Sequence, residues 1–359
     1  MKVETPQILW HNTQNGSNKE NGKSFPILSC HLVDDSTTAV LATAGGCEIN
    51  LWKVGYTADS ARTNGEGSKI LVKPPTYGAT AGEEHHTVIQ HLVTLSRSTN
   101  ERTINCVRFS PDHSHLAAVG DGGLVVVWSL QTPTNRSRRL SEWASLTEEK
   151  ALKFKIIYNP SDDVMDLSWH DSTRFAICSL DHTVSVFESK GEEWKTVWKS
   201  AKDHSHYVQG VVMDPKGVYL ASQGSDRTVK VYSRKGKSEE DLNKKYELGK
   251  AKTIKFLSDN KTYAGEEEKK EKRYLFADEL TVGSFFRRLA FTPDGGYLIV
   301  PAGLWHGEES AAGTGNNGEV PSSPKGVDAL TEASFGTYLF ARHCFERPCK
   351  VLAGLEKVS

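Results

Sequence analysis

A unit that recurs along the chain constrains its fold more than any single motif does. The unit is a short apolar strand running into a Ser/Thr/Asp-Pro type turn, a second apolar strand, a Gly/Ser/Asp turn, and a third strand ending in an aromatic residue. Ile104 to Phe109 with Ser110-Pro111-Asp112 leads to Leu116–Asp121 and to Val125–Trp128. Val164 to Trp169 leads to Phe175–Asp181 and Val184–Phe187. Tyr207 to Met213 leads to Tyr219–Ser222 and Asp226–Tyr232. A degraded first copy ends at Ile49–Trp52, and a stretched fifth runs from Phe286 to Val300 and finishes at Thr337–Phe340.

Runs rich in Val, Ile, Leu and Phe between turn residues are strand signals. The terminal aromatics Phe187 and Tyr232 are about 45 residues apart, within the roughly 40–45 of a four-stranded propeller blade. One such sheet cannot bury both its faces, so blades stack. The expectation is an all-β, WD40-type β-propeller with about five recognisable blades. Their predicted spans are 8–100, 101–160, 161–202, 203–256 and 284–342, with the start of a sixth at 343–357. Stretches 55–84, 235–272 and 303–334 lack apolar periodicity and read as flexible insertions. Closure entropy grows slowly with loop length, so strands flanking an insertion still pair.

Asp181 and Asp226 each precede a terminal aromatic by the same interval, where a tight turn needs a side chain that bonds nearby backbone. His204 is placed to bond Asp226 across its blade. The reading for His204, Asp226 and Asp181 is structural, with metal binding or catalysis as the alternative for the His–Asp pair.

Catalytic patterns do not emerge. Gly120-Asp121-Gly122-Gly123 lacks the phosphate-loop spacing and precedes a strand, and there is no G-x-S-x-G elbow. The dense histidines (His85, His86, His91, His204, His206) lack a zinc-helix pattern, and the first group reads as flanking a loop. The chain is therefore read as a binding surface, not an enzyme, with no cofactor and no metal.

A formal net charge of −1 gives no overall pull toward DNA or an anionic membrane. The cysteines, Cys30, Cys47, Cys106, Cys178, Cys344 and Cys349, show no C-x-x-C spacing, which suits a reducing compartment. With no signal-peptide pattern and no long apolar run, the expectation is a soluble intracellular protein. Arg136-Ser-Arg-Arg-Leu-Ser141 reads as a kinase target or part of a nuclear-import signal.

Several runs are more specific than a generic repeat: His204-x-x-Tyr-Val-Gln-Gly-Val-x-x-Asp-Pro215, Ser225-Asp-Arg227 with Val231-Tyr232, Ser284-Phe-Phe-Arg-Arg-Leu-x-Phe-Thr-Pro-Asp-Gly295, Pro301-Ala-Gly303, Thr337-Tyr-x-Phe-x-Arg342 and Arg347-Pro348. With Met1-Lys-Val3 and Trp10-His11, they resemble the middle, WD-repeat subunit of the chromatin assembly factor, a histone chaperone family. The HIRA-type chaperone is the second resemblance, and a generic WD40 scaffold such as a ubiquitin-ligase substrate receptor the third.

The first resemblance implies a non-catalytic nuclear scaffold that helps deposit H3–H4 on newly replicated DNA. Its implied partners are the large subunit of the assembly factor, histones H3–H4 met directly or indirectly, and the histone chaperone Asf through a motif beyond this chain's end. Neither a membrane nor sequence-specific DNA contact is implied. The family implies seven blades, the last completed by a strand near Met1–Trp10, so this chain reads as a C-terminally truncated form with an incomplete ring. On the shared rim of such a fold, Tyr207, Gln209, Arg227, Phe285, Phe286, Arg287 and Arg288 are the expected partner contacts. The arginines have loop bracing as an alternative role.

Overall fold

A computed structural model describes residues 26–35, 38–58, 85–96, 101–131, 135–158, 162–236, 246–257, 273–280, 285–305 and 334–355. The chain divides into two compact units, 1–202 and 203–359.

The first unit holds three antiparallel four-stranded blades, each with its strands in chain order across the sheet. They are β1 (Ile27–Asp34), β2 (Ala39–Gly45), β3 (Glu48–Ala58) and β4 (His85–Leu95); β5 (Ile104–Phe109), β6 (His115–Gly120), β7 (Leu124–Leu130) and β8 (Leu152–Tyr158); and β9 (Val164–Trp169), β10 (Arg174–Ser179), β11 (Val184–Lys190) and β12 (Glu193–Lys199). The second unit holds two more: β13 (Val208–Met213), β14 (Tyr219–Gly224), β15 (Thr228–Ser233) and β16 (Lys252–Ile254); then, after a two-stranded ribbon of β17 (Phe256–Leu257) and β18 (Arg273–Tyr274), β19 (Ala290–Phe291), β20 (Tyr297–Trp305), β21 (Ser334–Ala341) and β22 (Lys350–Leu355). The chain is all-β in class and has the blades of a β-propeller.

The repeat explains itself in the turns. In blade 2, Asp112 accepts bonds from the Ser110 hydroxyl (2.8 Å) and from the Ser114 amide and hydroxyl (3.1 and 2.7 Å). In blade 5, Asp294 does the same for Thr292 Oγ1 and the Gly296 amide. A short carboxylate thus closes each first hairpin by capturing local donors. The second hairpins of blades 3 and 4 share one geometry as well. Asp181 takes the Thr183 amide and hydroxyl, Asp226 takes those of Thr228, and the residues between, His182 and Arg227, are left-handed at φ 73° and 60°.

The terminal aromatics Trp52, Trp128, Phe187, Tyr232 and Phe340 are all buried, and apolar clusters fill the seams between blades 1 and 2, 2 and 3, and 4 and 5. Alternation sends successive residues to opposite faces of a sheet, so each blade contributes to the seams on either side.

Several boundaries differ from the sequence reading. β3 runs through Gly55–Ala58, inside the span expected as an insertion, and His85, His86 and His91 lie on β4 instead of beside a loop. The 235–272 stretch contains β16, β17 and the buried Tyr246 and Leu248. The span expected to start a sixth blade supplies the fourth strand of blade 5, because Lys350–Ala353 bonds directly to β21. Fourth strands are hard to see in sequence because they are half-exposed and mixed in character, as in Glu193–Lys199. A short helix, α1 (Arg136–Trp143), carries the arginine–serine run. The strand expected near Met1–Trp10 and most of the three insertions lie outside the described residues.

Blade 5 has a composite inner edge. β19 pairs only with Leu298–Ile299, and further along β20 the segment Leu275–Ala277 takes over. Ala277 N–H bonds Ala302 O (3.0 Å), Leu304 N–H bonds Leu275 O (2.8 Å), and Phe276 is fully buried. The backbone between, 285–289, turns away to meet blade 4.

Candidate partner-binding site

Two runs singled out in the sequence, Tyr207–Gly210 and Phe285–Leu289, meet in the second unit. Arg287 N–H bonds Gln209 O at 3.1 Å. At Gly210, an added Cβ would lie 1.8 Å from Arg287 O, so only glycine lets the two backbones approach this closely. Gln223 extends the seam by donating to Pro301 O at 2.8 Å.

The far end of the seam is an ion pair. Arg342 donates to Asp214 through both guanidinium nitrogens (2.9 and 2.7 Å) and to Gly295 O (3.0 Å), while its guanidinium lies over the Tyr219 ring at 5.1 Å. The Asp214 side chain is fully buried and also accepts the amides of Lys216 and Val218. Burial pushes its carboxyl pKa up, but the Arg342 bonds and these amides outweigh that and hold it below the usual value.

His204 and Asp226 brace the turn. His204 Nδ1 lies 3.1 Å from Asp226 Oδ2, and Nε2 lies 2.8 Å from Ser222 Oγ. The consistent proton arrangement has Nδ1–H donating to the carboxylate and Nε2 accepting from the serine. Asp226 also receives the Ser205 and Thr228 amides. Burial opposes its ionisation, yet His204 and these donors draw its pKa down to about 2. Asp181 braces the matching turn of blade 3 and pairs with Lys199 at 3.3 Å. Among the described residues, no group of three or more His, Cys, Asp or Glu is placed to hold a metal ion.

The expected contact residues divide by depth. Gln209 and Arg287 are each 1% exposed, so the structure places both in the interior and not on the rim. The reason for Arg287 is that its Nη1 donates to Ala277 O at 2.6 Å, bracing the composite edge. Burial pulls its guanidinium pKa below the ordinary value, against the attraction of Asp278, Glu279 and Asp226.

The others reach solvent. Phe285 is 39% exposed, Phe286 and Tyr207 are half-buried, and the Arg288 guanidinium lies 4.3 Å over the Phe286 ring. Arg227 pairs with Asp278 and stacks 4.5 Å over Tyr274. His206 packs on Tyr207 with ring centroids 4.4 Å apart. Asp278 and Glu279 are not foreseeable from sequence, since nothing in their spacing ties them to Arg227 or His206. Leu280 beside them is 97% exposed. The resulting surface is aromatic and mixed in charge, suited to a protein partner with apolar and polar anchors.

A family model described as the CAF1B/HIR1 beta-propeller domain matches residues 63–359. The B-type subunit of mouse chromatin assembly factor 1 is 27% identical over 357 residues, covering 97% of this chain and 48% of that protein. The rice FAS2 homolog, also a chromatin assembly factor 1 component, is 35% identical over 220 residues, 58% of this chain and 38% of that protein. Protein HIR1 of Kluyveromyces lactis is 25% identical over 331 residues, 90% of this chain and 32% of that protein. The chain thus spans about half, or less, of the length of these relatives.

Proposed function

The chain belongs to the CAF1B/HIR1 β-propeller family, and from that membership we propose that it is a non-catalytic WD-repeat subunit of a nuclear histone chaperone complex. In this reading it scaffolds the large subunit of a chromatin assembly factor and helps present H3–H4 for nucleosome assembly on newly replicated DNA. The observation that carries the proposal is the blade 4–blade 5 seam. Family-like runs build its buried joints, Gly210–Arg287 and Asp214–Arg342. The same runs leave Tyr207, Phe285, Phe286 and Arg288 at the surface. Arg227 adds a charged flank, while Gln209 and Arg287 support the surface from beneath.

The HIR1 relatives support a second reading, a subunit of the replication-independent HIRA-type complex, because they too cover most of the chain. Tagged chain is co-expressed with the large assembly-factor subunit or with HIRA-complex subunits, and each pair is purified through the tag. A stoichiometric complex with the large assembly-factor subunit is the expected result. A complex with HIRA-complex subunits alone favours the second reading, and recovery of neither removes both.

A further inference from the structure

We propose that Ser141 is a phosphorylation site for an arginine-directed serine kinase, and that its phosphate unseats α1 from blade 2. The segment reads Arg138-Arg139-Leu140-Ser141, placing two guanidinium groups three and two residues before a hydroxyl. Ser141 and Arg138 are both exposed, and Ser141 Oγ donates to Arg138 O at 2.7 Å. Such a back-bond to the helix's own carbonyl adds little to helix stability.

The helix around this serine is weak on its own terms. It has eight residues, well below the roughly 12–15 at which isolated helices become marginal. Asn135 makes no side-chain cap bond, and the first turn has no acidic residue. Instead, arginines at 136, 138 and 139 sit at the positive end of the helix dipole. What holds α1 is tertiary contact. Leu140 and Trp143 are buried, Trp143 Nε1–H donates to His113 O at 2.8 Å, and its ring meets Phe109 edge-on at 5.3 Å. Arg139 pairs with Asp112 at 2.5 Å. Because these few tertiary contacts are its main support, α1 as a whole is the part that opens to let a kinase read Arg138, Arg139 and Ser141 in extended form.

In the transfer, Ser141 Oγ attacks the γ-phosphorus of ATP, the hydroxyl proton passes to the kinase's carboxylate base, and ADP leaves. The product has lost the hydroxyl donor that bonded Arg138 O. It also carries close to two negative charges in the last turn of α1, at the negative end of the dipole and next to Glu142. Arg138, three residues earlier on the same helix face, offsets part of this charge, but the dipole and Glu142 both oppose it. The balance moves toward release of Leu140 and Trp143.

The test incubates the full chain, and separately a peptide spanning 135–146, with the catalytic subunit of an arginine-directed kinase and ATP. Phosphopeptide mapping and amide hydrogen exchange are then read. The expected result is one phosphate on Ser141, absent in Ser141→Ala and incorporated at least tenfold more slowly in Arg138→Ala. Exchange across 140–146 should be at least tenfold faster in the phosphorylated chain. Labelling of the peptide but not the chain, of neither, or of Ser137 instead overturns the site. Labelling of Ser141 with unchanged exchange overturns the unseating.

Discussion

His31 shows how one side chain links backbone closure to pH. Its Nδ1 accepts the Phe109 amide proton at 3.0 Å, so the ring must be unprotonated there. Burial, then the neighbouring Arg108 and His113, lower its pKa to about 4 from the ordinary 6.5. The unfolded chain therefore binds a proton between about pH 6.5 and 4 that the folded chain refuses, and stability falls as pH drops through that window. The loss attributable to His31 approaches about 3 kcal/mol at its lower end. Urea denaturation of the wild type and of His31→Gln, at pH 7 and pH 4.5, should show a smaller pH penalty in the variant. Equal penalties would remove His31 as the cause. A carboxylate behaves the opposite way in origin but with the same sign. Asp226 is held at about 2, so its contribution is intact above its ordinary value and is lost as pH falls toward 2.

At the level of elements, the joint between blades 4 and 5 rests on groups that are costly to orphan. Replacing Arg342 alone leaves the buried Asp214 carboxylate without its guanidinium, a loss of about 3 kcal/mol or more. Replacing both partners should cost much less than the sum. A double-mutant cycle of Arg342→Ala and Asp214→Ala in urea is expected to give a coupling of about 2 kcal/mol, and a coupling near zero would refute the joint. How far such elements can be read from sequence depends on what carries their signal. First, second and third strands are legible because Val125–Val127 or Val229–Tyr232 pair apolar runs with carboxylate turns. Fourth strands such as Glu193–Lys199 are edge strands with exposed Lys and Glu, and their pattern resembles a loop. The same logic applies to the site. Tyr207, Phe285 and Arg288 stand out as aromatic and cationic residues beside a strand start. That Arg287 points inward while Arg288 does not is invisible in sequence, because it follows from Ala277, a partner supplied by a segment rerouted along β20. Gly210 reads in sequence as one member of a run, yet it is the residue that sets the approach of the two blades.

For the molecule as a whole, charge and the division between joint and surface decide what it can bind. With a formal net charge of −1 the chain lacks the excess of cations that gives salt-dependent affinity for a phosphate backbone. The chain alone should show no binding to a duplex of about 30 base pairs at micromolar concentration in roughly 50 mM salt by fluorescence anisotropy. Tight binding there that weakens steeply by about 200 mM would mean a basic face dominates the net balance. Partner binding should instead depend on the exposed aromatics and Arg288. Tyr207→Ala with Arg288→Ala removes anchors without opening a buried joint. Each anchor of this kind contributes on the order of 1–2 kcal/mol, so the pair should weaken association with the proposed partner, the large assembly-factor subunit, about 30-fold or more. The melting temperature should stay within about 2 °C of wild type, because these side chains are partly solvated. Asp226→Asn is the converse variant. It keeps the shape of the turn but weakens the charge-assisted bond from His204, so it should lower the melting temperature while leaving the affinity of the folded fraction unchanged. Calorimetry on the three proteins against one purified partner separates the effects. If affinity follows the melting temperature across all three, the surface is incidental and the joint alone matters. If affinity falls only in the first variant, the rim built by the second unit is the contact.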